Sequence, residues 1–331
     1  MSDGFSWRGR RVLVTGATGI VGSWVVKALL ERRASVVALC ADVDPQSELV
    51  CSGDIHKIRQ VYGSLDDAAA VERAVGAAEV DVVIHLGAQT LVGVATQAPV
   101  ATFEANIRGT YQLLDTCRMH ASTIKAIVVA SSDKAYGSSP DLPYTEETPL
   151  RAQHPYDVSK ACTDLLAKTY HQTYGLPILV ARCGNIYGGG DLNWTRIVPG
   201  TIRSLLRGER PIVRSDGTFV RDYLYVKDAA SAYLCLAESA FTGRLRGEAV
   251  NFGGGARRTV LEVVADLQRI TGRGDLTPDI RNTAAAEIRE QWLSFDKATR
   301  LLGWTPSFTL DQGLRETLEW YRRWFADWEH A

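Results

Sequence analysis

Three spaced glycines, Gly16-Ala-Thr-Gly19-Ile-Val-Gly22, constrain this chain more than any other feature. They follow an apolar run at 11–14 and open a helical pattern at about 21–32. Each glycine has a task in a strand–turn–helix unit. Gly16 permits the tight turn, Gly19 lets a pyrophosphate approach the backbone, and Gly22 lets the helix pack close to the sheet. Thr18 and Ile20 belong to the same turn, whose helix N-terminal amides face phosphate charge. A purely structural glycine turn would read alike; the strand before it and the helix after it point to a dinucleotide.

The surrounding pattern fits that reading. Apolar strands at Ser35–Cys40, 80–86, Ala126–Ala130 and 178–182 alternate with helices at about 100–120 and 156–174. Such alternation predicts an α/β fold with a doubly wound parallel sheet (Rossmann) over residues 1–184. From 185 to 331 the chain changes character, with Gly188–Gly190, Pro199, Pro211, Pro278, shorter elements and two late helices. A smaller C-terminal α+β substrate lobe is expected there, with segments near 222–253 returning to the first lobe. The last helix, Leu310–Trp328, aligns Leu314, Leu318, Tyr321, Phe325 and Trp328 on one face, a stripe for core or subunit contact.

An acid at the end of the second strand would bind ribose hydroxyls and repel a 2′-phosphate. Asp42 lies just past it, and no Arg or Lys occurs between Ala34 and Lys57, which favours NAD over NADP. Asp42 sits slightly late for this role and reads equally well as a solvated loop acid. With a formal net charge of -1, the chain has no basic field for nucleic acid or a membrane surface. Six cysteines without a CxxC pair read as inert thiols, and six histidines without an HExxH motif give no metal site. No stretch of about 18 apolar residues occurs, and a cytoplasmic protein is expected.

Two features carry chemistry. Tyr156 and Lys160, four residues apart in Tyr-Asp-Val-Ser-Lys, share a helix face. The Lys160 ammonium is expected to lower the Tyr156 pKa and to bind the nicotinamide ribose, leaving a phenolate as base toward an alcohol. Ser131-Ser132-Asp133-Lys134-Ala-Tyr136-Gly137 follows the strand at Ala126–Ala130, at the end where parallel sheets bind ligands. There Ser132 can hydrogen-bond a substrate hydroxyl, and Asp133 and Lys134 offer an acid and a base. A solvent-exposed loop ion pair is the plainer alternative.

These motifs together resemble the extended short-chain dehydrogenase/reductases, the NAD-dependent epimerase/dehydratase group. The resemblance spans nearly the whole chain. It takes in Asn106 within Glu-Ala-Asn-Ile-Arg-Gly-Thr, Arg182-Cys-Gly-Asn185-Ile-Tyr-Gly188, Arg221-Asp-Tyr223 with Val226 and Asp228, and Leu302-Gly-Trp-Thr-Pro306. Asp133-Lys134, His85-Leu86-Gly-Ala88-Gln89-Thr-Leu-Val and Gly184-Asn-Ile-Tyr-Gly-Gly-Gly-Asp191 are similar to the CDP-glucose 4,6-dehydratases within it. Two departures stand out. The segment from Arg221 to Val226 looks more like epimerases and dTDP- or UDP-sugar enzymes. Ser64-Leu65 stands where an Asp and an apolar residue often meet adenine.

The resemblance implies cofactor contacts from Ser64, Leu65, Leu86, Ala88, Gln89, Asn106, Tyr156 and Lys160. It implies contacts to a nucleotide-diphosphate sugar from Gln89, Ser132, Asn185, Arg221 and Arg289, the guanidinium groups matching phosphate oxygens. The implied reaction oxidises C4 of the sugar with Tyr156 as base, removes the C5 proton with Lys134 and expels the C6 hydroxyl with a proton from Asp133. Free Asp and Lys hold the opposite protonation states at neutral pH, and burial would correct both. A UDP-sugar 4-epimerase and a non-catalytic NAD-binding sensor are the alternatives. A homodimer formed through the helices near 100–120 and 156–174 is implied as well.

Overall fold

The computed structural model describes residues 4–283 and 288–328. Its main sheet has seven parallel strands: β1 (Arg11–Thr15), β2 (Ser35–Cys40), β3 (Arg59–Tyr62), β4 (Val82–His85), β5 (Ala126–Ala130), β6 (Ile178–Cys183) and, much later in the chain, β10 (Ala249–Phe252). Their order is β10-β6-β5-β4-β1-β2-β3. Alternate residues feed two separate cores. Val12, Val14, Ile84 and Val128 face one side with α1 (Ile20–Glu31) and α9 (Val226–Phe241). Leu13, Val83, Ile127 and Val129 face the other with α3 (Ala68–Val75), α6 (Gly109–Met119) and Ala167 of α7 (Pro155–Tyr174). Both faces are thus covered, as near-continuous apolar strands require. The order runs outward in both directions from β1 and β4, so a crevice opens at their C-terminal ends.

The second sheet gathers around β9 (Val220–Tyr225). It pairs with β11 (Arg257–Thr259) on one edge, and with β7 (Asn185–Tyr187) and β13 (Glu290–Gln291) on the other. A short parallel pair joins β8 (Ile212–Val213) to β12 (Asp279–Ile280). Around them pack α8 (Ile197–Leu206), α10 (Val260–Thr271) and α12 (Leu310–Trp328). The α12 stripe belongs to this core: Leu314, Leu318, Tyr321 and Phe325 are buried in it, and Trp328 packs partly against it. No helix among the described residues is long and apolar enough to cross a membrane.

Several elements differ from expectation. The single helix at 100–120 is three pieces: α5 (Pro99–Phe103), a π-helical turn at Glu104–Arg108, and α6, with α4 (Val92–Gln97) before them. The strand at 80–86 shortens to β4. The edge strand β3 was not anticipated, because of its four residues only Val61 is buried. The second half carries α8, α9 and α10 ahead of α11 (Asp296–Leu302) and α12, not two late helices alone. Most of α9 is buried, so its sequence lacks the polar face that marks a surface helix. Through α9 and β10 the chain returns to the main sheet, while β9 stays in the small one. A short α2 (Glu48–Cys51) closes the list of helices; its Glu48 carboxylate accepts from the indole of Trp320 in α12.

Candidate active site

Gly16 ends the first strand at φ +67, and a Cβ there would lie 2.8 Å from the Gly87 nitrogen. On Gly22 a Cβ would lie 2.0 Å from the Gly16 carbonyl oxygen. No side chain larger than hydrogen fits either place. Gly19 is the exposed N-cap of α1 and supplies no side-chain cap. The first-turn amides of a 12-residue helix therefore face outward above a close backbone turn, which suits an anionic diphosphate. Thr18 and Ile20 flank Gly19, both half-buried.

Around this turn the structure gathers most of the expected cofactor residues. Asp42 is exposed two residues beyond β2. Leu65 reaches the loop after β4: a Cβ on Gly87 would lie 3.0 Å from its Cδ1. The Ser64 hydroxyl is bonded to Asp66. Leu86, Ala88 and Gln89 are half-buried in that loop. Asn106, expected at the cofactor, is 1% exposed and fully engaged with protein. Its Oδ1 accepts from the Gln89 amide (2.7 Å), and its Nδ2 donates to the Gln89 carbonyl (3.0 Å) and to Ser159 Oγ (2.8 Å). It shapes the loop from beneath.

The reaction half begins where β5 ends. Ser132 caps a 3₁₀ turn at Asp133–Tyr136, accepting from the Lys134 amide at 3.2 Å and donating to Asp133 Oδ1 at 3.0 Å. A buried frame supports this turn from behind. Tyr136 donates to Asn251 (2.7 Å), and Arg182 donates to the Tyr136 hydroxyl (2.9 Å). Arg182 also grips Asp164 of α7 through two bonds of 2.7 and 2.9 Å. Asp133 is 5% exposed, and burial raises its pKa, with Lys134, Ser132 and Arg221 pulling the other way. Lys134 is half-buried, and no ion pair joins it to Asp133. The loop ion pair of the plainer alternative is therefore not what forms.

Tyr156 and Lys160 lie in the first two turns of α7, both buried. Lys160 Nζ donates to the Ala130 carbonyl (2.9 Å), and burial pushes its pKa down to about 8. The expectation that Lys160 lowers the Tyr156 pKa needs correction. Burial pushes the phenol up to about 12, and the strongest charge opposing this is Arg196, helped by Ser132. Lys160 spends its ammonium on the β5 backbone instead.

Arg196 was missed from the sequence. It is the N-cap of α8 and pairs with buried Asp191 at 3.2 Å, five residues away across a loop with no helical period to expose the pair. Asp157, inside the Tyr-Asp-Val-Ser-Lys run, was also passed over. It is 4% exposed, its Oδ1 is buried without a hydrogen-bond partner, and burial raises its pKa while Lys134 and His154 lower it. Asp222, beside Arg221, is 1% exposed and pushed up to about 6 by burial.

The expected substrate residues divide. Asn185 opens β7, half-buried opposite Tyr223. Arg221 is 9% exposed, bonds the carbonyls of Val220 (2.9 Å) and Arg289 (3.2 Å), and its charge reaches Asp133. Arg289 itself is exposed, its charge bearing on Asp216 at the surface.

Residues 13–317 match the family described as GDP-mannose 4,6 dehydratase. The chain is 29% identical over 341 residues to a CDP-glucose 4,6-dehydratase of Salmonella typhimurium, covering 98% of this chain and 94% of that one. A dTDP-glucose 4,6-dehydratase from Bacillus anthracis, solved in complex with NAD, superposes with TM-score 0.86 at 27% identity, covering 97% and 99% of the two chains. A UDP-glucose 4-epimerase from Thermotoga maritima, solved with UDP-glucose, superposes with TM-score 0.87 at 28% identity over 95% and 99%.

Proposed function

From a chain that belongs to the GDP-mannose 4,6 dehydratase family, we propose an NAD-dependent lyase that converts a nucleotide-diphosphate hexose into its 4-keto-6-deoxy form. The observation that carries this reading is Asp133, a buried carboxyl whose pKa is raised, hydrogen-bonded to Ser132 beside Tyr156. A carboxyl that burial pushes toward its protonated form can serve as the general acid needed to expel a C6 hydroxyl. A 4-epimerase has no leaving group and no use for one.

The turn Gly16–Gly22, with Thr18, Ile20, Asp42, Ser64, Leu65, the loop 86–89 and Lys160, would hold NAD, which when bound would supply a hydride acceptor at C4 and a donor at C6 without net consumption. The chain's own groups handle the protons. Tyr156 takes the proton of the C4 hydroxyl as its phenolate, the form that Arg196 and the Ser132 hydroxyl favour against burial, while Ser132 orients that oxygen. The 4-ketone acidifies C5–H, and Lys134 removes that proton. Asp133 gives its proton to the departing C6 hydroxyl, which leaves as water. Lys134 then returns that proton to C5, and the proton gained by Tyr156 passes by way of solvent to replace the one lost by Asp133 before the next turnover. Gln89, Asn185 and Arg221 hold the sugar diphosphate, with Arg289 at the rim.

The test is to incubate purified protein with CDP-glucose, dTDP-glucose, UDP-glucose and GDP-mannose and to weigh the products. Loss of one water with NAD unchanged supports the proposal. An isomer of unchanged mass would replace it with 4-epimerisation, the reading that the epimerase of the same fold favours. Bound NAD with no turnover would favour a sensor.

The same reading includes a homodimer. Val100 (73%), Leu165 (58%) and Tyr174 (53%) expose large apolar surface on α5 and α7, the helices expected to pair. Light scattering of wild type and Leu165→Glu checks this: a dimer that turns monomeric supports it, and a wild-type monomer removes it. Six free thiols fit a reducing compartment, and the cytoplasm is the proposed location.

A further inference from the structure

His85 ends β4, is 3% exposed, and has no part in the reaction just described. It stands in register with Thr15, the last residue of β1, where the strand order reverses. Its Nδ1 lies 2.8 Å from Thr15 Oγ1 and its Nε2 lies 3.0 Å from Thr110 Oγ1.

Both ends fix the direction of these bonds. Thr15 Oγ1 already accepts from the Leu86 amide (3.2 Å) and the Gly87 amide (3.0 Å). A hydroxyl has two lone pairs and one hydrogen, so Thr15 gives its hydrogen to His85 Nδ1. At the far end Thr110 Oγ1 lies 2.5 Å from the Asn106 carbonyl. A carbonyl only accepts, so Thr110 donates there and receives from His85 Nε2. The Thr15 end demands a bare Nδ1 and so a neutral ring, and the Thr110 end demands the proton on Nε2. Burial pushes the His85 pKa down to about 3, with Lys160 adding to the effect, so this species persists at neutral pH.

We infer that His85 is a positioning residue, whose neutral imidazole ties the cofactor loops to the helix that carries Tyr156. The connection has no gap. Thr15 holds the amides of loop 86–89 on one side. On the other, Asn106 of the π-helical turn grips Gln89 and Ser159, and Ser159 donates to the Tyr156 carbonyl at 2.6 Å. Thr163 of α7 donates to the Ser159 carbonyl at 2.9 Å, with the Asn106 carbonyl 3.3 Å from the same hydroxyl. The π-helical turn is the kind of helix irregularity that collects at functional sites. Histidine suits the span because imidazole offers a rigid acceptor at one end and a donor at the other. Lys and Arg only donate, and the amides of Asn and Gln carry both functions at one end.

This inference rests on Tyr156 as the C4 base and holds whether dehydration or epimerisation follows. Nitrogen NMR of histidine-labelled protein should show one imidazole protonated on Nε2 alone, unchanged between about pH 5 and pH 9. In His85→Leu both links are lost. NAD affinity measured by calorimetry should fall about tenfold, and kcat about a hundredfold, the scale of a small misplacement. KM for the sugar nucleotide should stay within about threefold. His85→Asn, which keeps an acceptor toward Thr15, and His85→Gln, which keeps a donor toward Thr110, should fall between. If His85→Leu does not fold, Thr110→Val removes only the far link and should lower kcat about tenfold. A His85 signal titrating near its ordinary value, or wild-type NAD affinity and kcat in the variant that folds, would overturn the inference. Wild-type protein that turns over no sugar nucleotide would sink the reaction instead, leaving NMR and calorimetry to judge His85.

Discussion

On the cofactor side of the crevice Thr15, His85, Thr110 and Asn106 spend their hydrogen-bonding capacity on one another and on the backbone. On the reaction side Asp133, Asp157 and Asp222 are buried carboxyls with raised pKa values, and Asp157 Oδ1 and Asp222 Oδ2 have no hydrogen-bond partner. Satisfied polar networks rigidify a fold, and unsatisfied buried groups cost stability. One half is thus finished before any ligand arrives, while the other stores cost in buried carboxyls, of which Asp133 is the one the chemistry uses. Removing a side chain should therefore do opposite things in the two halves.

The largest effect belongs to Tyr156→Phe. General acid–base catalysis contributes roughly a hundredfold to ten-thousandfold, so kcat should fall about a thousandfold. In the free protein the buried phenol is neutral at working pH and its loss removes only a hydroxyl that meets Ser132, so the melting temperature should change little. Kinetics and thermal melting read both. A variant that keeps its activity breaks the reaction half as drawn, and one that loses its fold breaks the contrast.

Gly22→Ala tests the finished half. The added methyl meets backbone, the Gly16 carbonyl oxygen at 2.0 Å and Ala17 Cα at 2.8 Å, and neither can swing away. Overpacking of this kind costs about 3 kcal/mol, with loss of NAD binding. Urea melting at wild-type midpoint would show that the cradle yields, and that the cofactor half is not as rigid as its bonding implies.

The two halves also differ in how far sequence betrays them. Gly16, Gly19 and Gly22 carry their geometry in their spacing, and Tyr156 with Lys160 carry theirs in the helical period, so both places are legible. Strands at Ser35–Cys40 and Ala126–Ala130 and the helix Leu310–Trp328 keep their boundaries in the structure, since burial and period mark them. Asn106 is visible as a residue but not as a clamp, because the π-helical turn around it leaves no mark in apolar spacing. Arg196 and Asp222 act on the site through the fold of the second lobe, and nothing local announces that Arg196 outweighs Lys160 at Tyr156. Lys134 and Asp133 are adjacent in sequence, which suggests an ion pair; the 3₁₀ turn separates them.

Asp222→Asn should stabilise the protein at neutral pH. The carboxyl titrates at about 6 when folded against an ordinary 3.8. Between those values the folded state holds the proton more tightly, so stability falls as pH rises through the window. The penalty is absent below about pH 4, complete above about pH 6, and on the order of 3 kcal/mol. Asparagine carries no charge and keeps an oxygen for the Gly254 amide, bonded at 2.9 Å. The variant should gain about 1–3 kcal/mol at pH 7.5 and match wild type near pH 4. Equal stability at both pH values would place the stored cost elsewhere.

Asp67→Ala is the smallest change and the counterpart to Asp222→Asn. Asp67 follows the loop that carries Leu65 on the cofactor side and caps α3, accepting from the Ala69 amide at 3.0 Å and the Ala70 amide at 3.1 Å. Here a carboxylate is exposed and bonded to donors that helix geometry leaves open. Its removal should cost about 1 kcal/mol, the usual loss for an N-cap, with kcat unchanged, as urea melting and kinetics would read. Acidic side chains at the two ends of one crevice would then move stability in opposite directions, Asp67 by its loss and Asp222 by its presence. If Asp67→Ala is neutral, the cap is redundant. If it stabilises, carboxylates are a burden on both sides, and the division between a finished half and a poised half does not hold.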